Sequence, residues 1–184
     1  DTYHVDHLGD LVREVAGQGS DKVIAVIDYV MAGNVEHLDI GPGASKGTGN
    51  ALDNVIQAND AGNEVHGGGG NDHLKGGKGR DKLTGGDGDD TVDGGEGDDE
   101  IVGGDGAGND TYVGGDGIDT VRYTSAVTGI TVNLQAGTAS GNEIGSDTLS
   151  GIENIIGGQA GDSLTGDDGA NGIDGYSGDD SITG

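Results

Sequence analysis

A period of nine dominates this chain. Residues 67–122 read as GGGGNDHLK (67–75), GGKGRDKLT (76–84), GGDGDDTVD (85–93), GGEGDDEIV (94–102), GGDGAGNDTYV (103–113) and GGDGIDTVR (114–122). Every unit opens with two glycines and has a third at place four. Aspartate stands at place six (place eight in the 11-residue unit): Asp72, Asp81, Asp90, Asp99, Asp110 and Asp119. Two residues later comes an apolar or aromatic one: Leu74, Leu83, Val92, Ile101, Tyr112 or Val121. This G-G-x-G-x-D-x-U-x pattern is a parallel β-helix signature. Its last three residues make a minimal strand with one inward side chain. Two nines then close one coil, and like loops stack between unit i and unit i+2 at about the 4.8 Å strand spacing.

That stacking creates an electrostatic problem. Two aspartates about 4.8 Å apart repel by roughly 3.5 kcal/mol at an effective dielectric near 20. Each nine offers only one apolar side chain in return. A divalent cation between stacked loops turns the repulsion into attraction. Aspartate is a short, hard oxygen ligand, and glycine permits positive-φ turns and close approach of carbonyls to an ion. Metal binding and folding are therefore expected to be one event.

These residues resemble the RTX (hemolysin-type calcium-binding) repeat family of secreted bacterial proteins, strongly over 67–122 and again over 157–183. The resemblance implies an all-β fold, a calcium-loaded parallel β-roll of nonapeptide repeats, here with strand insertions. It implies calcium ligands from the place-six aspartates and from the carbonyls of Gly68, Gly70, Gly77, Gly79, Gly86, Gly88, Gly95, Gly97, Gly104, Gly115 and Gly117. It also implies export in the unfolded state by type I secretion, with folding in millimolar extracellular calcium. Six tandem units give four i/i+2 loop pairs, so at least four ions are expected. The two extra residues of 103–113 should bulge its loop.

Composition agrees. The net charge is −26, from 34 acidic and 8 basic residues. Such a chain attracts cations and avoids nucleic acid and anionic membranes. Low hydrophobicity with high net charge predicts disorder without metal. There is no cysteine, so no disulfide substitutes for the ion. No apolar run reaches membrane-spanning length and no signal peptide opens the chain. Asp1-Thr-Tyr reads as places six to eight of a unit and Gly184 as the first place of another, the expectation for a piece of a longer protein.

Four segments are expected. Residues 1–57 form an irregular β spacer, with AGQGSDKVI (16–24) in register through Asp21. Ile27, Tyr29 and Met31 suggest one longer inward-facing strand, Gly33-Asn34 a turn, and Val35–Ile40 another strand. Residues 8–15 fit either a short helix or an irregular edge. Within 49–66, GNALDNVIQ and ANDAGNEVH keep the inward Ile56 and Val65 but replace aspartate by Asn54 and Asn63, which predicts weaker metal binding. The roll itself is 58–122. Residues 123–156 are a strand insertion in which Ile130, Val132 and Leu134 alternate, Asp147 and Leu149 return to register, and Ile152-Glu-Asn-Ile echoes Val35-Glu-His-Leu. Residues 157–184 are a second roll, with Asp162 and Asp180 sharing one site and Asn171 binding weakly or not at all.

The basic cluster Lys75, Lys78, Arg80 and Lys82 admits two readings: an acidic-polysaccharide contact, or an internal charge ladder. Under i/i+2 stacking these residues meet Asp93, Glu96, Asp98 and Glu100, all opposite in sign, and the ladder is the simpler reading. None of the five histidines has zinc-ligand spacing, no motif frames a serine nucleophile, and no apolar pocket is available to a catalytic acid. The chain is read as non-enzymatic. Besides a scaffold, a polysaccharide-binding module and a surface-layer, filament or adhesin segment built by self-association are the alternatives.

Overall fold

The fold is that of a computed structural model describing residues 1–184. It has twenty strands and no helix. In chain order the first ten are β1 (Thr2–Val5), β2 (Lys22–Ala25), β3 (Tyr29–Val30), β4 (His37–Ile40), β5 (Lys46–Thr48), β6 (Val55–Gln57), β7 (Glu64–Gly69), β8 (His73–Lys78), β9 (Lys82–Asp87) and β10 (Thr91–Glu96). Then follow β11 (Glu100–Val102), β12 (Thr111–Asp116), β13 (Thr120–Arg122), β14 (Thr131–Asn133), β15 (Thr138–Gly141), β16 (Gly145–Ser150), β17 (Asn154–Ile156), β18 (Ser163–Thr165), β19 (Gly172–Asp174) and β20 (Ser181–Thr183).

From β2 to β14, and again from β16 to β20, successive strands alternate between two sheets. One holds twelve strands in the order β1-β2-β4-β6-β8-β10-β12-β16-β15-β14-β18-β20, the other eight in the order β19-β17-β13-β11-β9-β7-β5-β3. The i/i+2 register holds residue by residue. Leu74 pairs with Val92 and Val92 with Tyr112 in one sheet; Leu83 pairs with Ile101 and Ile101 with Val121 in the other. All six of these side chains are buried between the sheets. This is a parallel β-roll. The apolar place faces inward because side chains alternate across a strand and only one residue per unit can reach the narrow core.

Two local expectations differ from the structure, and one open alternative is decided. Strands β7 to β10 and β12 run six residues, as in His73–Lys78, because the first glycines of the next unit join the ladder. The segment 27–31 yields only the two-residue β3, although Met31 is buried. Residues 8–15 are irregular, with Leu8 93% and Leu11 77% exposed, so no packed face exists to stabilise a helix. The insertion is a hairpin: β14 and β15 are antiparallel, β15 runs antiparallel to β16, and β14 runs parallel to β18. It adds two strands to the larger sheet alone, while β13, β17 and β19 continue directly in the other. Ile130, Val132, Ala139 and Ile144 fill the core beneath it.

Candidate metal centres

The place-six side chains line up in two rows, one along each edge of the roll. In the first row the N–H of each residue donates to the carboxylate one coil further on: Asn54 to Asp72 (2.7 Å), Asp72 to Asp90 (2.7 Å), Asp90 to Asp110 (2.8 Å) and Asp110 to Asp147 (3.1 Å). The second row runs from Asn63 to Asp81 (2.6 Å), Asp81 to Asp99 (2.8 Å), Asp99 to Asp119 (2.8 Å) and Asp119 to Glu153 (2.8 Å). Place five forms a parallel ladder of opposite sense, in which Asp53, Asn71 and Asp89 accept from the next coil at Asn71, Asp89 and Asn109. Adjacent loops are thus locked together by side chain to main chain bonds at two neighbouring places.

In the bonds along these rows the aspartates use only Oδ1. The Oδ2 atoms of Asp72, Asp81, Asp90, Asp99 and Asp119 are buried without any hydrogen-bond partner. An orphaned buried carboxylate oxygen is costly unless something positive meets it. Burial accordingly raises these acids, with the backbone N–H bond opposing and neighbouring carboxylates adding to the rise: Asp72 to about 7, and Asp81, Asp90 and Asp119 to about 6. Asp99 moves the same way for the same leading cause.

Main-chain oxygens converge on the same places. A Cβ on Gly67 would lie 2.2 Å from Asp72 Oδ2 and 2.5 Å from the carbonyl oxygen of Gly85. A Cβ on Gly94 would lie 2.4 Å from Asp99 Oδ2 and 2.5 Å from the carbonyl oxygen of Gly114. The place-one glycines Gly67, Gly76, Gly85, Gly94 and Gly114 therefore leave open the space beside each orphaned oxygen. The glycine carbonyls proposed from sequence were those of places two and four, and the place-one glycines went unassigned. The signal was present, since every unit opens on that residue. The place-two and place-four carbonyls point along the stack: a Cβ at Gly86 would sit 2.0 Å from the oxygen of Gly68, and one at Gly88 2.2 Å from that of Gly70. Gly77 and Gly79 stand in the same relation to Gly95 and Gly97, and these in turn to Gly115 and Gly117. The donor set is oxygen only, carboxylate and carbonyl, which fits a hard cation of the calcium type.

The remaining place-six acids are placed differently. Asp110 Oδ2 accepts from the buried Tyr112 hydroxyl at 2.6 Å, and Asp147 Oδ2 from that of Tyr123 at 3.4 Å. Asp162 uses both oxygens, accepting from the N–H groups of Ile130 (2.9 Å) and Gly158 (2.6 Å). Asp180 accepts from the Asp162 N–H at 2.9 Å, so these two are adjacent as expected. Asp21 lies beside the terminal amine, at 2.6 Å, with the carboxylates of Asp1 and Glu14 gathered close to it. Gly104 faces Tyr123 and Ser125, while Gly106 and Gly108 take up the stack over Gly86 and Gly88. The two extra residues of the 11-residue unit thus loop out ahead of the stacked glycines. The repeated U-E-x-U motif also acquires a reason. Glu36 accepts from the Asp21 N–H (2.9 Å) and Glu153 from the Asp119 N–H (2.8 Å), so glutamate performs at place six what aspartate does elsewhere.

The charge ladder is largely internal. Lys78 pairs with Glu96 (3.2 Å), Lys82 with Glu100 (3.2 Å), and Arg122 also reaches Glu100 (3.1 Å). Lys75 lies opposite Asp93 in register. Arg80 makes no ion pair with Asp98, whose Oδ1 accepts from the Ile118 N–H instead.

Fold and rows together define a metal-binding repeat solenoid. The family model of the RTX calcium-binding nonapeptide repeat (4 copies) matches residues 48–83, 75–108, 84–121 and 144–182, more than half of the chain. The chain belongs to the RTX calcium-binding repeat family. No curated protein matches it. Repeats of this family bind calcium and are structural, and proteins that carry them are typically secreted. No helix is long and apolar enough to cross a membrane.

Proposed function

We propose that this chain is a calcium-gated folding module, a scaffold within a larger protein that is secreted unfolded and matures in extracellular calcium. The observation that carries this reading is the set of five buried, partnerless carboxylate oxygens. Bound calcium supplies a double positive charge that tolerates six to eight oxygen ligands in flexible geometry. Asp72, Asp81, Asp90, Asp99 and Asp119 would hold it, with glycine carbonyls from the adjoining loops. The chain's own groups do the rest. The Oδ1 bonds set the coil spacing, the glycines keep the inter-coil space free of side chains, and the inward apolar row closes the core. At least four ions are expected, and the module carries no catalysis of its own. Glycan binding receives no support from the basic cluster, since two of its lysines are engaged internally.

Titrating calcium into the chelated chain tests this by two readouts, calorimetric stoichiometry and far-UV circular dichroism. Four or more ions bound together with a coil-to-β transition are expected. A fully β-structured spectrum in excess chelator overturns the reading.

A further inference from the structure

The units at 49–57 and 58–66 solve the inter-coil problem in another way. Asn50 Nδ2 donates to the carbonyl oxygens of Ala32 (2.9 Å) and Val35 (2.8 Å), and Asn54 Nδ2 adds a bond to Val35 (3.2 Å). Asn54 Oδ1 accepts from the N–H of Asn50 at 2.7 Å. Nine residues on, the arrangement repeats. Asn59 Nδ2 donates to Gly41 and Ala44 (both 3.0 Å), Asn63 Nδ2 donates to Ala44 (3.2 Å), and Asn63 Oδ1 accepts from the Asn59 N–H (3.1 Å). In both units amide hydrogens fill the place-two and place-five carbonyls of the coil beneath. Asn54 and Asn63 are buried like the aspartates, yet no polar atom of theirs is left unpaired. A neutral amide donates and accepts at once, so it takes the part that carboxylate and cation share elsewhere, and it needs no ion. Only part of the device recurs at 166–174, where place two is Asp167: Asn171 accepts from the Asp167 N–H (2.7 Å) and donates to the Glu153 carbonyl (3.1 Å).

We propose that the pairs Asn50/Asn54 and Asn59/Asn63 are built-in substitutes for the ion, so that the coil at 49–66 forms without calcium and templates the calcium-dependent coils that follow. The proposal rests on reading the aspartate rows as calcium sites. The first aspartate of each row docks on this coil, Asp72 on the Asn54 N–H and Asp81 on the Asn63 N–H. In a solenoid, where each coil contacts only its neighbours, a preformed coil spares the next one its nucleation cost. Folding then runs from residue 66 toward the C-terminus, and calcium adds to a waiting edge formed by the strands Val55–Gln57 and Glu64–Gly69.

Hydrogen exchange read by mass spectrometry on the full chain, in chelator and in calcium, tests this. In chelator, amides of 49–66 are expected to exchange about tenfold or more slowly than those of 67–102. In calcium both stretches are protected. Fast exchange of both stretches in chelator, with protection of both in calcium, overturns the template and leaves calcium-coupled folding standing. Protection of both in chelator overturns calcium-coupled folding as well. A second arm replaces Asn50→Gly, Asn54→Asp, Asn59→Gly and Asn63→Asp, which restores the consensus glycine and aspartate. Asn50 and Asn59 lie outside the positive-φ region, so glycine enters without strain. The variant is expected to lose its chelator-resistant protection at 49–66 and to bind up to two more ions by calorimetry. Unchanged protection with unchanged stoichiometry overturns the proposal.

Discussion

The main-chain N–H of Asp72 donates to Oδ1 of Asp90 across 2.7 Å, while Oδ2 of the same Asp90 is buried without a partner. One carboxylate thus does two jobs with two atoms. Oδ1 sets the distance between coils, and in the function proposed above Oδ2 creates the demand for a cation.

The two jobs separate by mutation. Asp90→Asn keeps the Oδ1 acceptor and removes the charge, so the variant should fold in calcium with one fewer ion bound. Asp90→Ala also strands the buried Asp72 N–H, which costs a further ~1–3 kcal/mol. Calorimetry and thermal melts in saturating calcium separate these outcomes. Equal melting of the two variants would contradict the division of labour.

Proton binding should mimic the ion weakly. Asp72 and Asp147 are raised to about 7, and Asp81, Asp90 and Asp119 to about 6, from 3.8. The folded state therefore holds protons more tightly than the unfolded chain. Its metal-free stability is fully present below pH 3.8 and is lost as pH rises through 6 and then 7. Circular dichroism in metal-free buffer should show β structure growing as pH falls from 8 to 5. The calcium midpoint should move to higher concentration over the same descent, because protons and calcium compete for the same oxygens.

Glycine requirements should differ sharply between places two and three of the stacked loops. Gly86 has φ +117, and a Cβ there would lie 2.0 Å from the Gly68 oxygen. Gly86→Ala is expected to lose about 1–3 kcal/mol from backbone strain alone, with more from blocked stacking. At Gly69 the nearest atom to an added Cβ is 4.0 Å away, so Gly69→Ala should fold with an unchanged calcium midpoint. The two midpoints, compared by circular dichroism, decide the matter.

Tyr112→Phe probes a carboxylate that already has a partner. Its hydroxyl donates to Asp110 Oδ2 at 2.6 Å in a buried setting. Removing it strands that oxygen, so stability in calcium should fall by about 1–3 kcal/mol. Denaturant melts measure this. No loss would mean that Asp110 finds another partner.

Much of this protein was legible before any coordinates. A strict period forces every unit to meet its copy two units away, so one alignment predicts the strand register over most of 67–122. The inward residues Leu74 to Val121 and the pairing of Lys78 with Glu96 and of Lys82 with Glu100 follow from it, and so does the expectation of a cation. Where the period breaks, counting fails. Gly104 holds place two by count, yet Gly106 and Gly108 occupy the stack, because the surplus residues loop out on the N-terminal side.

What the chain's letters determined by themselves was the solenoid, its phase and its charge problem, since these are properties of the repeat. What only the tertiary structure decided was how each oxygen is used. Asp72 and Asp110 are identical by place, yet one keeps an orphaned oxygen and the other bonds a tyrosine hydroxyl. Asn54, at the same place, has every side-chain polar atom paired. Such differences arise from hydrogen bonds made across coils, where direction and distance settle which donor arrives first, and a one-dimensional pattern carries neither.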